Sequence, residues 1–258
     1  MISDAQIDEF ERIGAVTIDT PFTTEQLDAA STTFDRLLPP PGEGADRDPF
    51  RVSRTNDFFN PQLLLFIEHP FTEAVCQRAL RAEQVQFWAS AIVKTHGQPG
   101  LAPQYWQHVD IKYSMRDLEA EPRRMLCSCL LWLTDVTEDR APLMYRPGSH
   151  RQIAAVMDKH PAHIENPVGV DELPDLPYAD PTPLLTRRGQ MTVCTTAMIH
   201  GASINTGQLA RKVIFILFHP RGCDVPANMD MVEQRNRYLR KLHEHFRPGR
   251  RHILPPVE

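Results

Sequence analysis

The chain has 258 residues, with 28 Lys and Arg against 33 Asp and Glu, so its formal net charge is −5. That mild acidity leaves no overall electrostatic footprint for nucleic acid or an anionic membrane surface, and neither partner is expected. Apolar residues at 41% and charged residues at 24% match ordinary globular usage, which excludes disorder of the whole chain, and no apolar run reaches the roughly 18 residues that cross a bilayer. The 23 prolines are scattered without a repeat, a pattern of loops around a β scaffold that a helical bundle tolerates poorly. Five cysteines at irregular spacing (Cys76, Cys127, Cys129, Cys194, Cys223) and no basic, apolar leader predict a reduced, cytoplasmic setting.

In chain order, Ser3 caps a helix with Ile7, Phe10 and Ile13 on one face, Gly14 ends it, and Ala15 to Ile18 reads as a short strand. Thr23 or Thr24 caps a second helix through Leu37, and a loop rich in Pro, Gly and charge runs from Pro39 to Pro49. Helical patterns return at Leu63 to Ile67 and Phe71 to Ala82. From Val85 the texture changes to strands separated by turn signals: Val85 to Thr95, Gln107 to Ser114, Met125 to Thr134, Leu143 to Arg146, Met191 to Thr196 and Lys212 to Phe218. A Pro- and Asp-rich stretch, about 158–184, is too long for a hairpin and reads as a lid or insert. A basic helix, about 231–246, closes the chain. Helices first (3–82) and then a β core (85–220) predict one mainly β domain over 1–258, a barrel or jelly roll dressed with helices.

The motif His108-Val-Asp110 is a spacing that chance supplies readily, but on a strand it projects both side chains to one face. His200, placed after the apolar run Met191 to Ile199, offers a third ligand, and two histidines with one carboxylate form the facial triad of non-haem Fe(II) oxygenases. The alternative is a strand-end histidine hydrogen-bonded to a neighbour. Arg211 opens the next strand eleven positions later; antiparallel return would bring its planar fork beside the triad, where it suits the distal carboxylate of 2-oxoglutarate. A surface ion pair is the plainer role for such an arginine.

Together His108-x-Asp110, the segment Ala141-Pro-Leu-Met-Tyr-Arg-Pro-Gly-Ser-His150, His200 with Arg211, and the opening Ile7 to Val16 resemble the phytanoyl-CoA dioxygenase family of Fe(II)/2-oxoglutarate oxygenases. The segment Arg124 to Asp135 is most similar to the ectoine hydroxylase branch. The resemblance implies a cupin-like double-stranded β-helix, Fe(II) as cofactor, 2-oxoglutarate and O2 as co-substrates, and metal ligands His108, Asp110 and His200. It implies co-substrate contacts from Arg211, Ser128, Ser203 and Asn205, with Ser203 one position beyond the usual family serine. An intact carboxylate at Asp110 disfavours halogenation. Ile111-Lys-Tyr-Ser-Met lacks the aromatic and acidic residues of ectoine hydroxylases, so ectoine is not the expected substrate.

If strand alternation continues, Lys112 faces the same pocket as His108 and Asp110 and would pair with an anionic group of a small-molecule substrate. Trp106, Tyr113, Trp132 and Arg146 are the other substrate-binding candidates, although aromatic residues in strands more often fill cores. Cys127 and Cys129 share a strand face and fit a buried core role better than a metal site. The basic C-terminal residues Arg240, Lys241, Arg247, Arg250 and Arg251 read as a solvated face, with a dimer contact or an acidic carrier partner as the sharper option; monomer and homodimer are both compatible. A Zn-dependent hydrolase or isomerase using the same triad, a non-catalytic metabolite-binding jelly roll, and desaturation, epoxidation or cyclisation in place of hydroxylation, with natural-product biosynthesis as one setting, complete the readings the residues allow.

Overall fold

The computed structural model describes residues 2–42, 50–157, 168–224 and 229–256; parts of the 39–49 loop and of the 158–184 insert therefore lie outside the described residues. Helix α1 (Asp4–Ile13) starts with a capping box between Ser3 and Gln6 and ends at Gly14, whose φ of 94° is the left-handed cap expected of glycine. After β1 (Ala15–Ile18), helix α2 (Thr24–Leu37) opens with the same device, Thr23 with Gln26. Strand β2 (Val52–Thr55) and helices α3 (Pro61–Glu68) and α4 (Pro70–Leu80) follow, each helix with proline in its first turn, where the missing N–H has no cost.

The remaining elements are β3 (Val85–Thr95), β4 (His108–Val109), α5 (Met115–Glu119), β5 (Cys127–Trp132), β6 (Leu143–Tyr145), α6 (Ser149–Val156), β7 (Val168–Gly169), β8 (Thr182–Leu184), β9 (Met191–Thr195), β10 (His200–Gly201), β11 (Arg211–Pro220) and α7 (Met229–His245). They form two antiparallel sheets, one ordered β1-β9-β5-β11-β3-β2 and the other β7-β4-β10-β6-β8. Residues of both sheets meet in one apolar layer: Leu130, Trp132, Cys194 and Val213 from the first, Leu143 and Leu184 from the second. The opposite face of the six-stranded sheet, with Cys127, Cys129, Val193, Ile214 and Ile216, packs against α1 to α4 and α7. Two facing sheets with helices against one of them make the jelly-roll, double-stranded β-helix architecture.

Several expectations need correction. The strand expected over 107–114 is interrupted: its continuous run is His108 and Val109, Lys112 is an isolated bridge, and Ser114 caps α5 in a capping box with Asp117; a helix cap competes directly with continued strand pairing. His200 does not end the strand that begins at Met191: that strand stops at Thr195, and His200 starts β10 in the other sheet. The described part of the 158–184 insert is built into the five-stranded sheet, with Gly169 paired to His108 and β8 paired to β6. The C-terminal basic residues are not uniformly solvated, since Arg247 pairs with Glu68, and Arg250 reaches Glu73 at 2.6 Å. Cys127 and Cys129 are fully buried against α4, where Cys76 Sγ lies 3.4 Å from Cys129 Sγ.

Candidate metal and co-substrate site

His108 and His200 are directly opposed in the β4–β10 ladder, and their rings lie 4.7 Å apart. Asp110 follows β4 at a bend, which turns its carboxylate back between them: Oδ1 is 3.0 Å from His108 Nε2 and Oδ2 is 3.5 Å from His200 Nε2. Ligand atoms of all three residues fall within 4.8 Å of one another. His200 Nδ1 donates to the Met198 carbonyl at 2.8 Å, which fixes the tautomer and leaves Nε2 as the free lone pair. Burial pushes the Asp110 carboxyl upward, but the imidazoles of His200 and His108 outweigh it and hold the group below the usual carboxylate range. Two imidazole nitrogens and an ionised oxygen converging on one point are the donor set of a divalent iron site.

The backbone around the triad is held from several directions. Ser149 Oγ accepts the Ile199 N–H at 2.9 Å and donates to the Arg146 carbonyl at 2.8 Å, so the Pro-Gly-Ser-His segment braces the residue before His200. Gly201 lets two chains approach: a Cβ there would lie 1.6 Å from the Trp106 carbonyl oxygen. Trp106 itself stacks on His108 with ring centroids 4.6 Å apart and stays 52% exposed at the rim. Arg146 donates through Nε to Gln107 Oε1 and through Nη1 to the Ala179 carbonyl, tying the residue before His108 to the insert.

Arg211, at the start of β11, is buried on the face shared with Val213 and Trp132. Its Nη1 donates to the Ala141 carbonyl and its Nη2 to Thr95 Oγ1 at 3.1 Å, while the Trp132 ring lies 5.8 Å from Cζ. Nε is buried without a partner, and burial alone lowers the guanidinium to about 10. Among the described residues no carboxylate pairs with it. A buried arginine held only by neutral groups, with a spare donor, fits the distal carboxylate of 2-oxoglutarate. Ala141, which turns its carbonyl toward Arg211, sits at a φ of 45°.

The other expected contacts divide. Ser128 lies on the inner face of β5, paired to Leu217 on one side and Cys194 on the other. Asn205 is wholly committed elsewhere: its Nδ2 donates to the carbonyls of Thr95 and Leu209, and its Oδ1 accepts the Gly207 N–H. These bonds shape the loop that delivers Arg211. Ser203 Oγ donates to the Pro142 carbonyl at 2.6 Å, a second strut of that loop. Tyr113 is a core residue, not a pocket wall, because its hydroxyl accepts the Leu126 N–H and meets Thr196 Oγ1 in full burial. Trp132 is likewise buried, with its indole N–H donated to Thr192 Oγ1, and serves as the bed of Arg211. Lys112 is half-buried beyond the end of β4, at an isolated bridge position. Thr95, Met198 and Gly201 were missed by sequence reasoning, and Ala141 and Ser149 entered it only as part of the motif that ends at His150, without a role.

Residues 10–213 match the model of the family described as Phytanoyl-CoA dioxygenase (PhyH). An ectoine dioxygenase of Bordetella parapertussis is 24% identical over 247 residues, covering 84% of this chain and 75% of that protein. The dioxygenase CdmD of Talaromyces verruculosus is 25% identical over 183 residues, covering 69% and 53%. Among solved structures, the non-heme alpha ketoglutarate dependent carbocyclase SnoK from nogalamycin biosynthesis superposes with a TM-score of 0.69 at 19% identity, over 90% of this chain and 89% of that one. EctD from S. alaskensis, in its apoform, gives 0.59 at 18% identity, over 87% and 79%. With the family matched over most of its length and the donor set of the jelly roll in place, the chain belongs to the phytanoyl-CoA dioxygenase family of Fe(II)- and 2-oxoglutarate-dependent oxygenases.

Proposed function

We propose that the chain hydroxylates a small-molecule metabolite, with His108, Asp110 and His200 holding Fe(II) and Arg211 holding the distal carboxylate of 2-oxoglutarate. Iron with 2-oxoglutarate and O2 supplies the oxidant that removes a substrate hydrogen, and 2-oxoglutarate leaves as succinate and CO2. The protein's part is binding and orientation. His200 presents a lone pair because the Met198 carbonyl accepts its Nδ1–H; Asp110 sets its carboxylate between the two imidazoles. Arg211 is pre-aligned by Ala141, Thr95 and the Trp132 face, so little ordering remains when an anion arrives. Ser128 on the same inner face is assigned to the co-substrate, and Trp106, Lys112 and Arg146 to the substrate side of the site. One domain, active as a monomer or homodimer in the cytoplasm, is the setting this reading assumes.

The convergence of three ligand atoms within 4.8 Å on adjacent strands carries the reading. Its test is succinate formation by the full chain supplied with Fe(II), O2 and 2-oxoglutarate, first alone for slow uncoupled turnover and then across a panel of small organic acids. Succinate that requires both Fe(II) and O2 and disappears in Asp110→Ala is the expected outcome. Turnover that persists with Zn(II) alone, or in Asp110→Ala, contradicts it.

A further inference from the structure

The inner face of β11 continues past Arg211 as Val213, Phe215, Leu217 and His219, every second residue of one strand. On neighbouring β3 the register partners are Val93, Ala91 and Ala89. Phe215, Leu217, Ala89, Ala91 and Val93 are half-exposed, whereas the alternating Ile92, Ile214 and Ile216 are fully buried beneath the helices. Half-exposed residues on the inward side of a strand mark the wall of a cavity, and two alanines opposite Phe215 and Leu217 leave room in it. Across the sheet Leu217 pairs with Ser128 and Ser128 with Cys194. Burial raises the Cys194 thiol, and the nearby charge of Asp110 raises it further.

The wall ends in an unusual group. A register shift between Leu217 and Phe218 leaves Trp88 as the extra residue of β3. Its ring meets His219 edge-on at 5.4 Å, and Arg235 from α7 lies over it with Cζ 3.8 Å from the centroid. Arg235 Nε and Nη1 and His219 Nδ1 are buried without hydrogen-bond partners. The guanidinium's single polar contact among the described residues is Nη2 to Asn236 Oδ1 at 3.4 Å. Burial lowers His219 to about 4, so the positive charge here is that of Arg235. A cation stacked on an aromatic face with spare, desolvated donors is built to receive an oxyanion.

We propose that Arg235, with His219 and the Trp88 ring, is the anion subsite of the substrate pocket. The substrate is then a small organic acid, its carboxylate or phosphate on Arg235 and its apolar body along Phe215 and Leu217 toward the metal triad. This inference rests on the oxygenase reading and deepens it, moving the substrate's counter-charge from Lys112 to the far end of β11.

The test uses full-length protein loaded anaerobically with Fe(II) and 2-oxoglutarate, so that Arg211 is already occupied, and follows tryptophan fluorescence during titration with benzoate, phenyl phosphate and the neutral isostere benzamide. At least one acid should bind roughly tenfold or more tightly than benzamide, as expected of hydrogen bonds to a charged group. Arg235→Met should erase that preference while benzamide binding and the visible band of the iron chelate persist, and Arg235→Lys should keep part of it. The two acids separate a carboxylate site from a phosphate site. An equal preference in Arg235→Met, or none in the wild type, overturns the subsite. Absence of the chelate band in the wild type instead counts against the oxygenase reading, and the acid preference still decides on Arg235.

Discussion

At Gly201 one missing methyl group lets the strand carrying His200 pass against the backbone of Trp106, two residues before His108. Gly201→Ala must push these segments apart and with them the two imidazoles that face each other in the ladder. Supporting groups of this kind alter metal affinity by roughly 10- to 100-fold, and Co(II) titration of Gly201→Ala should show a loss in that range with little change in 2-oxoglutarate affinity once metal is saturating. Unchanged Co(II) affinity would show that the close approach is dispensable. Thr95 makes the complementary case on the co-substrate side. Thr95→Val keeps the shape but leaves Arg211 Nη2 without its hydroxyl acceptor, and a hydrogen bond to a charged group is worth about 1.5–3 kcal/mol. The dissociation constant for 2-oxoglutarate, measured directly on the Fe(II) enzyme, should rise about tenfold or more; an unaltered constant contradicts the role of Thr95 in aligning the guanidinium.

One carboxylate of helix α2 bridges two lysines of the six-stranded sheet. Lys94 and Lys212 are direct register partners on β3 and β11, an arrangement of like charges that repels, and Asp35 of α2 accepts from both at 2.7 Å. Burial acts to raise the Asp35 carboxyl, but hydrogen bonds and charge from Lys212 and Lys94 bring it below its usual value. Its folded-state pKa is thus depressed, so the stabilisation is complete above the ordinary carboxyl pKa and fades as pH falls through the folded value. Asp35→Asn should lose about 1–2 kcal/mol at neutral pH, less than for a fully enclosed pair because the carboxylate is half in water. In urea unfolding followed against pH, the gap between wild type and Asp35→Asn should close in acid; a constant gap contradicts the charge argument. The same elements show what local rules can and cannot reach. Ser3 and Gly14 were legible, and the second cap was narrowed to Thr23 or Thr24, because a cap is decided within four residues; β3 was legible because its apolar run is long. Strands β4, β7 and β10 have two residues each, and their existence depends on partners far along the chain.

For the molecule as a whole, the convergence of His108, Asp110 and His200 and the buried inner position of Arg211 could be read from residue type, order and likeness to a family, because such a donor set leaves few substitutes. Asn205 and Ser203 could not be placed: an amide or hydroxyl in a loop serves backbone carbonyls as readily as a ligand, and here Thr95, Leu209 and Pro142 take them. Arg235 carries no motif; only the bulge at Trp88 and the packing of α7 bring it to His219. The net charge of −5 describes the exterior, while Arg211 and Arg235 define an inner surface suited to two anionic ligands in line, one for each end of β11. The central claim, that the triad and Arg211 together bind Fe(II) and 2-oxoglutarate, is tested most directly by the anaerobic visible difference spectrum of the full chain. A weak charge-transfer band that needs both Fe(II) and 2-oxoglutarate, is lost in His200→Ala, and in Arg211→Met appears only at much higher 2-oxoglutarate is the predicted result. No band in the wild type, or one indifferent to both substitutions, would contradict it.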